Sequence, residues 1–164
     1  MLWKQIKKIP YKDVRSCIKQ VRNKSIISPW IEDIFSRKKD INYSIYKNFE
    51  IHRLTLKELG FNKPTKLKNV YKMFKKFKYD LVPPEISLYL RLIYNKQPRG
   101  EWLRISVPLN SMIDKDKVPH LPKLGRALGK FFLETYWSYP NAIFHPHNDF
   151  LVIKFCDRKK NKNK

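Results

Sequence analysis

His145, His147 and Asp149 stand at every second position of FHPHNDF, residues 144–150, directly before the apolar run FLVI. On an extended strand alternate side chains share a face, so two imidazoles and a carboxylate spaced by two would converge as ligands for a divalent metal. With Lys154 nearby to handle protons, such a centre would suit metal-dependent cleavage of phosphodiesters. The local sequence argues against the strand. Pro146 has no N–H for a ladder, and Pro, Asn and Asp are turn formers, so PHND reads as the loop of a hairpin joining NAIF to FLVIKF. A nuclease pattern of the acid-x-lysine kind also needs a carboxylate two positions before Lys154, where the chain has Val152. The turn is therefore the preferred reading, and His145, His147 and Asp149 form the alternative one: a small metal-dependent nuclease or toxin-like effector acting on RNA or DNA.

Other groupings of reactive residues are sparse. Glu101, Arg104 and His120 would meet only if a sheet brought them together, and Asp114 and Asp116 lie in MIDKDKVP beside lysines able to pair with them. Four glycines in 164 residues are too few for a phosphate-cradling loop, and no cofactor or metal motif stands out. Cys17 and Cys156 lack zinc-site spacing, which fits free thiols in a reducing, intracellular compartment. The first dozen residues share the lysine richness of organelle transit peptides but not their arginine and serine, and no run approaches the length of a membrane span.

The chain does declare a charge. Against 14 acids stand 36 lysines and arginines, for a net +22, a field that attracts polyanions, nucleic acid first among them. Lysines number 27 and arginines 9, and the wealth of Asn, Ile, Tyr and Phe resembles the coding of an AT-rich genome, so distribution says more than the total. Residues 1–82 carry +14, residues 83–153 only +3, and residues 154–164 carry +5. Between Lys63 and Lys78 there are seven lysines and no acid.

These residues need elements to position them. Val14, Cys17, Ile18 and Val21 follow helical spacing, and SPWIEDIF offers Ser28 as N-cap and Pro29 as first helical residue. Ile45, Phe49, Leu56 and Leu59 suggest a helix over 43–59 with Gly60 as its C-cap. Thr65 would cap another to about Lys78, its stripe of Leu67, Val70, Tyr71, Phe74 and Phe77 opposite Lys68, Lys72 and Lys76. Ile86, Leu88, Leu90 and Leu92 alternate as in a strand, and so do Leu103, Ile105 and Val107, with KQPRGE as a hairpin between. Residues 121–137 read as a helix in which Gly125 and Gly129 admit a close neighbour. The result is an α+β pattern: one compact domain over 1–155, a helical N-terminal half on a small, mostly antiparallel C-terminal sheet with one further helix, and a basic disordered tail over 156–164.

The expected function is non-enzymatic binding of nucleic acid, structured RNA before DNA, in the manner of ribosome-associated proteins. Lys63, Lys66, Lys68, Lys72, Lys75, Lys76 and Lys78 on the helix, with Arg158, Lys159 and Lys160 in the tail, are the expected phosphate contacts. Tyr43, Tyr46, Trp102 and Tyr139 are the candidates for stacking on bases. A sheet presented to a protein partner is a third reading.

Overall fold

A computed structural model describes residues 1–156. Its strands and helices run β1 (Leu2–Lys8), α1 (Val14–Lys24), β2 (Ile26–Ile27), α2 (Pro29–Ser36), β3 (Lys47–Thr55), β4 (Thr65–Lys66), α3 (Leu67–Lys76), α4 (Ile86–Ile93), β5 (Trp102–Ile105), β6 (His120–Ala127), β7 (Lys130–Trp137), β8 (Ile143–Phe144) and β9 (Asp149–Phe155). Seven strands form one mixed sheet in the order β1-β3-β9-β5-β6-β7-β2, while β4 and β8 pair separately. The β5–β9 and β2–β7 pairs are parallel and the others antiparallel. Among the described residues no helix is long and apolar enough to cross a membrane.

The α+β class stands, but its distribution along the chain differs from the sequence reading. β1, β2 and β3 place three strands of the sheet in the first half. The stretch over 43–59 is a short 3-10 turn followed by β3, because Phe49 and Ile51 alternate toward the core while Glu50 and His52 take the other face. Residues 121–137 are a hairpin of β6 and β7. Leu128 (φ 52°) and Gly129 (φ 73°) supply the two left-handed residues that a two-residue connection requires.

Gly125 serves a different purpose. A Cβ there would lie 2.1 Å from the Trp102 ring, so only glycine lets that indole lie across β6. The stretch expected as a strand over 86–92 is α4. Ile86, Ser87, Leu88, Leu90 and Arg91 are all buried, and a helix covered on nearly every side carries apolar residues at both strand and helix phases. KQPRGE accordingly joins a helix to a strand.

Helix starts follow local chemistry. Asp13 and Ser16 form a reciprocal capping box on α1, and the Ser28 hydroxyl accepts from the Trp30 N–H at the start of α2. β9 lies inside the sheet, between β3 and β5, and is buried on both faces: Phe150 and Val152 on one, Leu151 and Ile153 on the other. α3 covers the first of these faces by setting Phe74 against Phe150, ring centroids 6.1 Å apart.

A candidate nucleic-acid interface

The exposed surface of α3 follows from how the helix is anchored. Leu67, Val70 and Phe74 are buried, and the Tyr71 hydroxyl donates to the Val107 carbonyl at 2.5 Å. Thr65 belongs to β4 and does not cap the helix. Instead the Leu67 and Lys68 N–H groups donate, at 2.9 Å each, to the carbonyls of Ala142 and Pro140. With its apolar stripe fixed inward, α3 turns its lysines outward. Lys63, Lys66, Lys68, Lys72, Lys75, Lys76 and Lys78 are all exposed, and none forms a salt bridge among the described residues. Phe77, expected in the apolar stripe, is 49% exposed at the end of this surface. Arg158, Lys159 and Lys160 lie outside the described residues.

Beside α3, the same face of the sheet stays partly open. Phe74, Phe150, Phe144 and Tyr136 touch in series, with centroid separations of 6.1, 5.1 and 5.2 Å, and Tyr136 belongs to β7. The register then sets Trp102 and Arg104 of β5 opposite Gly125 and Lys123 of β6, with Glu134 and Phe132 on β7 behind them. The Lys123 ammonium sits 4.7 Å from the centre of the Trp102 ring, a cation–π arrangement. Among the described residues Arg104 makes no hydrogen bond or ion pair; its partial burial lowers its pKa, as burial and the neighbouring Arg104 charge lower that of Lys123. Two cations and three half-buried rings thus form a patch next to the lysine helix.

The other stacking candidates fall elsewhere. Tyr43 is 1% exposed, its hydroxyl donating to the Glu85 carbonyl, and Tyr46 donates to the Glu85 carboxylate, so neither phenol is free on the surface. Tyr139 is exposed in the loop before β8.

The three residues of FHPHNDF are not gathered into one site. His145 and His147 are exposed in a turn closed by the Asn148 N–H on the His145 carbonyl and by the His145 N–H on Asn148 Oδ1, their rings 5.8 Å apart. Asp149 is held by Arg53, which donates to it at 2.8 Å and to Glu101 at 3.0 Å. Among the described residues no three His, Cys, Asp or Glu side chains are grouped to hold a metal ion. The turn does join β8 to β9, but the two do not pair: β8 pairs with β4, and β9 with β3 and β5.

Glu101, Arg104 and His120 are likewise apart. Glu101 also accepts from the Tyr94 hydroxyl at 2.6 Å, while His120 meets Asp114 at 2.8 Å and Thr135 at 3.1 Å under the stacked ring of Trp30. Asp114 therefore pairs with a buried histidine and not with its neighbouring lysines. Its carboxylate also accepts from the Asp116 and Val118 N–H groups. The bond from His120, reinforced by these backbone donors, holds the Asp114 carboxyl below its ordinary value.

A pH dependence follows. Because the folded pKa lies below the unfolded one, the unfolded chain binds the extra proton, and the stabilisation is present above about pH 4 and lost as pH falls further. Thermal unfolding of Asp114→Asn between pH 5 and 2.5 should give a flatter acid limb than the native chain, and parallel limbs would refute the assignment.

A scan of protein-family models, a search of curated proteins and a search of solved structures each find no match to this chain.

Proposed function

We propose that the protein binds nucleic acid, RNA in preference to DNA, on the lysine surface of α3 and the adjoining Trp102, Arg104 and Lys123 patch, acting by binding and not by catalysis. The observation that carries this reading is the run of seven exposed lysines over 63–78 with no acid within the run and, among the described residues, no salt bridge to any of them. A merely solvated helix face mixes charges, because like charges four apart cost each other a few tenths of a kcal/mol. Lys68, Lys72 and Lys76 carry that cost with no carboxylate among the described residues paired to them, and a phosphate backbone would relieve it while releasing its counterions.

The preference for RNA rests on the neighbouring rings. Folded RNA presents unpaired bases in loops, and bases stack on aromatic side chains beside cations. Fluorescence anisotropy with a labelled RNA hairpin, its single-stranded form and a DNA duplex of equal length tests the reading. Binding of the hairpin at micromolar protein in low salt, tighter than of the duplex, is the expected result. No binding of any of the three overturns it.

A further inference from the structure

A second basic site lies apart from α3. A cavity of about 730 Å³ is lined by Lys8, Lys12, Lys47, Tyr11, Tyr46 and Tyr89, and among the described residues no carboxylate lines it. That volume is in the range of small-ligand pockets. Of the acids near it, Asp13 accepts from the Ser16 N–H at 2.9 Å and lies within electrostatic reach of Lys12, and Glu85, 6% exposed, takes the hydroxyl of Tyr46 from behind the lining.

The register adds an independent observation. Lys8 of β1 stands directly opposite Lys47 of β3. Like charges in directly opposed positions of an antiparallel pair destabilise it. Neither lysine has an ion-pair partner among the described residues, and an anion held between them would turn the repulsion into attraction.

The remaining lining argues for what that anion is attached to. Tyr11 and Tyr89 set their rings edge to face, centroids 6.3 Å apart, and both are half-buried. Burial raises the pKa of Tyr89 and Tyr46, so these phenols stay neutral and do not repel an anion. Asn42 and Ser44 contribute donors and acceptors at the rim, the Asn42 Oδ1 already accepting from the Ser44 N–H and leaving its amide N–H groups for a ligand. A planar apolar body with polar edges, carrying a phosphate, matches all three features.

We propose that this cavity binds a nucleoside phosphate, with the phosphate between Lys8 and Lys47 and the base against Tyr11 and Tyr89. A free mononucleotide and the phosphorylated end of a single strand carry the same chemistry. The proposal does not depend on the role given to α3.

Isothermal titration of the full chain with AMP, adenosine and inorganic phosphate tests it. Saturable binding of AMP is expected, with adenosine and phosphate each about tenfold weaker or more, since each supplies only half of the contacts. Lys47→Gln should weaken AMP about tenfold, a charge-assisted contact being lost. The same substitution relieves the opposed charges, so its unfolding temperature should equal or exceed the native one. Glutamates at Lys68, Lys72, Lys75 and Lys76 should leave AMP binding unchanged, which separates this site from the α3 surface. A single strand bearing a 5′-phosphate binding more tightly than AMP supports the strand end as ligand, and the reverse order supports the free mononucleotide. No saturable AMP binding, phosphate alone binding as tightly as AMP, or an unchanged affinity in Lys47→Gln overturns the proposal.

Discussion

Replacing Lys68, Lys72, Lys75 and Lys76 together by glutamate is expected to lower RNA affinity by roughly a hundredfold or more at low salt, with the fold retained. Each reversal both removes a phosphate contact and adds a repulsion, so the effect exceeds that of truncation. All four side chains are exposed and outside every ion pair described, so the core of Leu67, Val70 and Phe74 is untouched. The helix dipole partly opposes the change. Glutamates in place of Lys75 and Lys76 sit at the negative C-terminal end and cost a few tenths of a kcal/mol each, whereas one in place of Lys68 sits in the favourable first turn.

The control is an equal charge change elsewhere. Lys7, Lys19, Lys39 and Lys57 are exposed and distributed over other parts of the chain. If α3 is the binding surface, reversing these four costs RNA affinity only a few fold. If total charge is what matters, the two variants lose affinity alike, and the assignment to α3 fails.

The largest effect on stability is expected at Arg91. This residue is 2% exposed and has no carboxylate partner among the described residues. Its guanidinium donates to the carbonyls of Gly125 and Phe132 at 3.0 Å each and of Tyr94 at 2.7 Å, and lies 4.8 Å from the centre of the Phe131 ring. It thereby ties α4 to the hairpin of β6 and β7. Burial pushes its pKa down to about 10, still well above neutrality, so the cation persists.

Two effects compete when Arg91 becomes methionine. Removing a buried cation gains back its desolvation cost, but three carbonyls lose a charged donor, each such bond being worth about 1.5–3 kcal/mol. The methionine cannot satisfy those carbonyls, so the second effect should win. A net loss of about 3 kcal/mol is expected, seen as a drop of roughly 10 °C in unfolding temperature. Urea unfolding checks it, and a variant within about 0.5 kcal/mol of the native chain would show that the tie is dispensable.

What the sequence shows of this fold depends on how each element is buried. α1, α2 and α3 each bury one stripe and leave the rest to water, so their apolar spacing is legible, and Ser28 marks where α2 begins. α4 fails that test because Ser87 and Arg91 are buried along with its aliphatic residues, leaving no polar face to set the period. β6 and β7 were hidden for a related reason. Phe131, Phe132 and Leu133 occur together, and both phenylalanines are half-buried although they take opposite faces, with only Leu133 fully covered, so alternation is blurred. Gly129 is the one turn signal the sequence carries there, since Leu128 takes its positive φ without being a residue type that announces it.

The site shows the same division. The lysines of α3 are legible because they share one element, and their exposure follows from its stripe. The Trp102, Arg104 and Lys123 patch and the Lys8 and Lys47 pair depend on strand register between distant segments, which no local pattern encodes. His120 with Asp114 is a partial exception: six positions apart, both were visible, but nothing local shows that the loop closes them together. In FHPHNDF the turn is legible from Pro146 and Asn148, but the pairing of Asp149 with Arg53, a residue 96 positions away, is not.

The most direct test of the account is the salt dependence of RNA binding by the native chain. If the α3 lysines contact phosphates, the logarithm of the association constant falls linearly with the logarithm of salt concentration, with a slope of roughly −3 or steeper. The Lys68, Lys72, Lys75 and Lys76 variant should lose most of that slope, about one unit for each contact removed. An affinity unchanged between 50 and 200 mM salt, or a slope identical in the two proteins, would contradict it.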